Sequence, residues 1–243
     1  MLTDGEHVLF CNNEDWENFK TRIWFVPEGP SRSGCVYVGF DNGWAQGGMN
    51  TAGLAFDWVA GYRERWQRDS KMKSVAGNPC ELMLATCRTA DEAVAFFREH
   101  WEPSFSYAKV LVADRTGASV RIGAHDGALQ IERDNRCRGF GYAQRVLDKM
   151  LVEKPTPTPE NAETILRAAR QDGRYATKYS NVYDLKSGDI FLLPTPGRDE
   201  VVKVNLNEEL KKGGHFYDMP EIHDEMAQAP RPLPRLKPWW RFW

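Results

Sequence analysis

The chain opens with short apolar stretches separated by turn residues. From Glu6 to the region of Leu54 the runs EHVLFC, TRIWFVPEG, GCVYVGFDNG and AGLAFDWVAG are rich in β-branched and aromatic residues. Gly, Pro, Asn and Asp cut them apart, which predicts strands. The polar stretch from Tyr62 to Gly77 predicts a solvated loop. Asn78-Pro79 then predicts a helix start running through CELMLATC, with Asn as the cap and Pro in the first turn. Thr89-Ala90-Asp91-Glu92 has the form of a capping box, and Ala93, Phe96, Phe97 and Trp101 recur at helical spacing behind it.

Farther along, YAKVLVADRTG, ASVRIGAHDG and ALQIERD alternate with Thr-Gly and Asp-Gly turns and predict an antiparallel meander. Leu147 to Leu151 reads as the end of a short helix and KPTPTP as a rigid linker. Thr158-Pro159-Glu160 caps a helix through ILRAARQDG, and TKYSNVYDLKSGDIFLLP forms a last hairpin. Strands, two helices, strands, a helix and strands again predict an α+β protein with layered sheets, not a parallel βαβ fold.

Composition narrows the function classes. The 243 residues suit one domain, and 42% hydrophobic against 27% charged residues is ordinary globular usage. A net charge of −2 with dispersed basic residues gives no footprint for nucleic acid. No apolar run has the length of a membrane span, and MLTDGEHVLF lacks the regions of a signal peptide, so the expected location is cytoplasmic. Cys11, Cys35, Cys80, Cys87 and Cys137 show neither CxxC pairs nor zinc spacing and read as free thiols. The five histidines have no HExxH spacing, so no metal and no cofactor is expected. Residues 1–214 read as the domain and 215–243, rich in Pro and aromatics, as a tail that drapes over it or stays mobile, ending in WWRFW.

Three segments carry a resemblance: FCNNEDW (Phe10 to Trp16), QGGMNTAGLAFD (Gln46 to Asp57) and YSNVYDLKSGDIF (Tyr179 to Phe191). With GNPCEL placed between them, the chain resembles the linear amide C–N hydrolases of the choloylglycine hydrolase and acyltransferase kind, within the N-terminal-nucleophile hydrolases. The resemblance implies a four-layer αββα sandwich of two antiparallel sheets, a small-molecule acyl-amide as partner, and a homo-oligomer. It implies a cysteine whose own α-amine, titrating near neutrality, accepts the thiol proton. Asp15 matches the aspartate that holds the amine, and Asn78 the asparagine of the oxyanion hole. Asn12, Asn13, Asn50 and Asn181 fall in the matching segments as candidate pocket residues.

The family cysteine lies upstream of the NNEDW-like segment, where this sequence has only Met1 to Gly5. The expectation is therefore a fold whose first strand is missing, either a late start or a relative that has lost it, and a chain that is inactive as given. The turn signal Thr3-Asp4-Gly5-Glu6 leads to the same expectation: a hairpin bent at Asp4-Gly5 would set the partners of Asn12 and Asp15 before Met1. A second family asparagine would fall in RGFGYAQ, where Tyr142 and Ala143 stand instead. Locally, Asp15 also reads as a turn residue and Asn78 as a helix cap. Gly47, Gly48 and Gly53 read equally as pocket wall or as turn; Arg22 and Arg174 could meet a substrate carboxylate in a cleft, but lone arginines are usually solvated or locally paired.

Overall fold

The computed structural model describes residues 1–17, 20–153, 155–193 and 200–233. Strands β1 (Leu2–Thr3), β2 (Val8–Asp15), β3 (Thr21–Val26), β4 (Cys35–Phe40), β5 (Ala45–Asn50) and β6 (Leu54–Ala60) come first, followed by helices α1 (Pro79–Thr86) and α2 (Ala90–Glu99). The meander is β7 (Ala108–Asp114), β8 (Ser119–His125) and β9 (Ala128–Asp134), and helices α3 (Gln144–Val152) and α4 (Pro159–Ala168) follow it. The chain continues through β10 (Thr177–Asp184), β11 (Asp189–Leu192), β12 (Val202–Asn205), α5 (Leu206–Leu210), β13 (His215–Asp218), α6 (Ile222–Met226) and β14 (Arg231–Pro232).

Two antiparallel sheets result, one ordered β1-β2-β10-β11-β12 and the other β14-β13-β3-β4-β5-β6-β7-β8-β9. Three apolar layers explain how they stack. Val8, Phe10, Tyr179, Tyr183 and Ile190 of the smaller sheet meet Ile23, Phe25, Val36, Val38 and Met49 of the larger one. The larger sheet's outer face packs Phe56, Val110 and Val112 on Met83, Leu84, Phe96 and Phe97 of α1 and α2. The smaller sheet's outer face packs Leu9 and Val182 on Ile165 and Leu166 of α4, with Leu147 of α3 beside them. Alternation along each strand makes this possible, since successive side chains point to opposite faces and both faces are covered. The order is helices, sheet, sheet, helices.

The helix starts are where their caps predict them. Cys80 N–H donates to Asn78 Oδ1 at 3.0 Å, and Glu92 N–H donates to Thr89 Oγ1 at 3.2 Å. Asn161 N–H likewise donates to Thr158 Oγ1 at 3.2 Å.

Two parts of the sequence reading need correction. The run AQGGMN is strand β5, central in the larger sheet, although two glycines weaken its strand signal. A Cβ on Gly47 would lie 2.4 Å from Asp57 Oδ2, and one on Gly48 2.4 Å from the Val36 carbonyl oxygen, so close approach requires glycine at both. The boundary at Gly214 does not hold either: His215–Asp218 pairs with β3 from Phe25 to Arg22, and Arg231–Pro232 pairs with β13. Buried Glu209 anchors this return, accepting from Tyr217 Oη at 3.1 Å and lying 3.0 Å from His215 Nε2. Residues 215–233 therefore complete the larger sheet. WWRFW lies outside the described residues, as does Lys154 of the expected linker.

Candidate functional site

Strand β2 places the site. Along one edge it pairs with β10 from Leu9↔Asp184 to Asp15↔Thr177; along the other, among the described residues, it pairs only through Leu2↔Leu9 and Thr3↔Val8. The edge from Cys11 to Asp15 is open. A cavity of about 980 Å³ runs along it, reaching from the space between the sheets to the helix layer.

The two ends of this cavity differ in chemistry. Between the sheets lie Asn12 and Glu14 of β2 with Asp57 of β6, and Asp15 borders the cavity at the end of the same strand; toward α3 and α4, where Asn13 donates to the Leu166 carbonyl, lie Leu2, Leu147, Leu151, Ala162, Ile165 and Leu166. The segment Arg138 to Ala143 forms part of the wall between them.

The polar end is short of hydrogen-bond partners. Asn12 is 7% exposed, borders the cavity, and has no partner for either its Nδ2 or its Oδ1. Asp57 is equally buried, with an unpartnered Oδ2. Buried amides and carboxylates without partners cost about 1–3 kcal/mol or more each, so a fold retains them where something else meets them.

Three carboxyl groups influence one another here. Burial pushes the Asp57 carboxyl well above its ordinary range, and the negative charges of Glu14 and Asp15 add to that. Glu14 is raised to about 8 by burial and by Asp15, against a hydrogen bond from Tyr179. It retains some exposure to the cavity, so the dryness of that space sets how far its proton is held. Burial also raises Asp15, opposed by the Thr177 hydroxyl, which donates at 2.5 Å, and by the positive charge of Lys178.

The other candidates divide. Asn13 borders the cavity, but its amide is engaged, donating to the Leu166 carbonyl at 2.8 Å and accepting from Ser180 Oγ at 2.6 Å. Asn50 lies away from the cavity lining and braces a turn: it donates to the carbonyls of Leu84 and Cys87 and accepts from the N–H groups of Ala52 and Leu54. Asn78 also lies off the lining. Its Oδ1 caps α1 and its Nδ2 donates to the Ala45 carbonyl at 2.9 Å. Asn181 is fully buried opposite Asn12 and outside the lining, and its Nδ2 and Oδ1 likewise have no partner.

Arg22 pairs with Asp218 at 2.9 Å, and Arg174 with Glu17 at 2.7 Å, so both are held locally. Cys11 borders the cavity, but burial pushes its thiol up to about 11, which keeps it protonated at neutral pH. No histidine lines the cavity among the described residues, and these hold no metal-binding cluster.

Glu14 and Asp57 were not singled out from sequence, although each lies inside a quoted segment. Strand phase is the signal that finds them. Glu14 is in step with Phe10 and Asn12, and Asp57 with Ala55, at positions that turn inward between the sheets.

The architecture, two antiparallel sheets between helix layers, matches that of solved N-terminal-nucleophile amide hydrolases. Penicillin V acylase from Agrobacterium tumefaciens superposes with a TM-score of 0.71 at 16% identity, covering 96% of this chain and 98% of that one. A variant of conjugated bile acid hydrolase from Clostridium perfringens gives 0.68 at 14%, covering 97% and 98%. The Caenorhabditis elegans ortholog of N-acylethanolamine-hydrolyzing acid amidase gives 0.55 at 13%, covering 76% and 90%. At these identities the likeness is one of fold. No family model matches the chain, and no curated protein matches it in sequence.

Proposed function

We propose that the cavity along β2 binds linear acyl amides, as expected of a hydrolase or acyltransferase acting on amide C–N bonds. The carrying observation is the two-ended cavity. Its apolar side under α3 and α4 suits an acyl chain, and the unpartnered Asn12 amide suits an amide group, donating through Nδ2 and accepting through Oδ1. Asp15, anchored by Thr177 at the same end, is the residue that would orient an amine. The fold of penicillin V acylase and bile acid hydrolase supports this reading.

A second reading, a binding protein that holds the amide without cleaving it, is favoured by Cys11. It is the only cysteine in the described lining, its proton is held by burial, and no histidine stands in that lining to take the proton.

Incubating the 243-residue chain with octanoyl p-nitroanilide tests both readings. Calorimetry is expected to show binding, and absorbance no release of nitroaniline. Absence of binding would overturn the acyl-amide site. Release that disappears in Cys11→Ala would overturn the non-catalytic reading and assign the chemistry to that thiol.

A further inference from the structure

We infer that the cavity takes a cationic amphiphile, its protonated amine held among Glu14, Asp15 and Asp57 and its apolar chain lying against α3 and α4. The inference shares Asn12, Asp15 and the apolar arm with the acyl-amide reading and adds Glu14 and Asp57, which that reading does not use. Three acidic side chains that influence one another line the cavity, Glu14 and Asp15 from β2 and Asp57 from β6. Around Glu14 the facing titratable groups are Asp15 on its own strand, Asp57 across the sheets and Tyr179 on β10; Lys178 acts on Asp15. One positive charge acts on one of the three acids, so the acids outnumber the cations that act on them. Arg138, also in the wall, donates elsewhere, to the Glu132 carbonyl.

Acidic residues alone would mark no site. Asn12 supplies the independent observation: an amide more than nine-tenths buried, at the same end, with a free acceptor beside the carboxyls. An ammonium group has three donors and no acceptor. Glu14, the unpartnered Asp57 Oδ2 and Asn12 Oδ1 are acceptors that can meet them together. A metal ion is the alternative cation, but the acids form no ligand cluster among the described residues.

Proton linkage follows from the same geometry. In the empty cavity Glu14 keeps its proton up to about pH 8 and burial holds the Asp57 proton as well, whereas an ammonium ion needs a carboxylate, which Glu14 supplies by giving up its proton. Binding therefore expels a proton at pH 6 and none above pH 8, so affinity must rise with pH through that window, by up to about tenfold per unit for one proton.

Calorimetry on the full chain with n-octylammonium chloride, octanamide and octanoate decides the matter. The expected result at pH 8 is octylammonium binding about tenfold or more tighter than octanamide, octanoate weakest, and octylammonium affinity falling toward pH 6. Glu14→Gln and Asp57→Asn are each expected to bring the ratio of octylammonium to octanamide affinity close to one. Folding of Glu14→Gln is checked by its melting temperature. It should be higher than that of the natural chain at pH 8, because a raised carboxyl pKa costs stability progressively between its unfolded value and about 8. Octylammonium binding no tighter than octanamide, or tightening as pH falls, overturns the inference while leaving the acyl-amide reading in place. Octylammonium binding without octanamide binding sustains the inference and overturns that reading.

Discussion

Gly47 and Asp57 share one volume. The β5–β6 pairing sets them opposite each other, and the Asp57 carboxylate fills the space that a side chain at 47 would take. Gly47→Ala is expected to destabilise the chain by about 1–3 kcal/mol, because the added methyl would displace a buried carboxyl. In an Asp57→Ala background the cost should shrink by half or more, since contacting residues do not add. Urea denaturation of the four chains measures this. An equal cost in both backgrounds would place the clash on the Phe56 carbonyl, 3.0 Å from the same point, and not on the acid. At this scale the sequence was partly legible. Asp15, Asn12 and Asn13 could be named because they lie in the segment FCNNEDW, which carries the family resemblance. Asn50 and Asn78 could not be excluded, because an amide that satisfies neighbouring carbonyls looks the same in sequence as one that awaits a ligand.

Strand β2 is paired on one side and open on the other, and its hydrogen bonding should report it. Leu185 N–H donates to the Val8 carbonyl, so alternation turns Phe10 and Asn12 toward β10 and Cys11 and Asn13 toward the open edge. Hydrogen exchange is expected to be faster at the amides of Cys11 and Asn13 than at those of Phe10 and Asn12, by about tenfold or more. Uniform protection along the strand would mean that something already covers the edge. Helices were the legible elements, since Asn78, Thr89 and Thr158 announce them through side-chain caps. Strand β5 was hidden because Gly47 and Gly48 are there for close approach, which propensity does not register. Strands β12, β13 and β14 are four, four and two residues long and lean on partners far away in sequence.

For the whole molecule, the consequential pairing is β13 on β3. Ending the chain at Gly214 would uncover Ile23 and Phe25 and remove Tyr217, Met219 and Ile222 from the layer between the sheets. Such a chain is expected to lose cooperative unfolding or to aggregate, because a long apolar edge is left unpaired. A sharp urea transition within about 1 kcal/mol of the full chain would instead make residues 215–233 an accessory covering. The four-layer arrangement was legible through the family resemblance, whereas the strand pattern alone gave the α+β class. Nothing near His215 points to Thr21–Val26, because long-range partnership leaves no local trace.

That same pairing sets a timetable for synthesis. Thr21–Val26 leaves the ribosome well before His215–Asp218, so one of its two neighbours is not made until Asp218 has been translated. Contacts so distant along the chain are slow to form, and until they do the nascent polypeptide carries an exposed apolar ribbon. Chaperone demand during translation, more than any property of the finished protein, is where this arrangement exacts its cost.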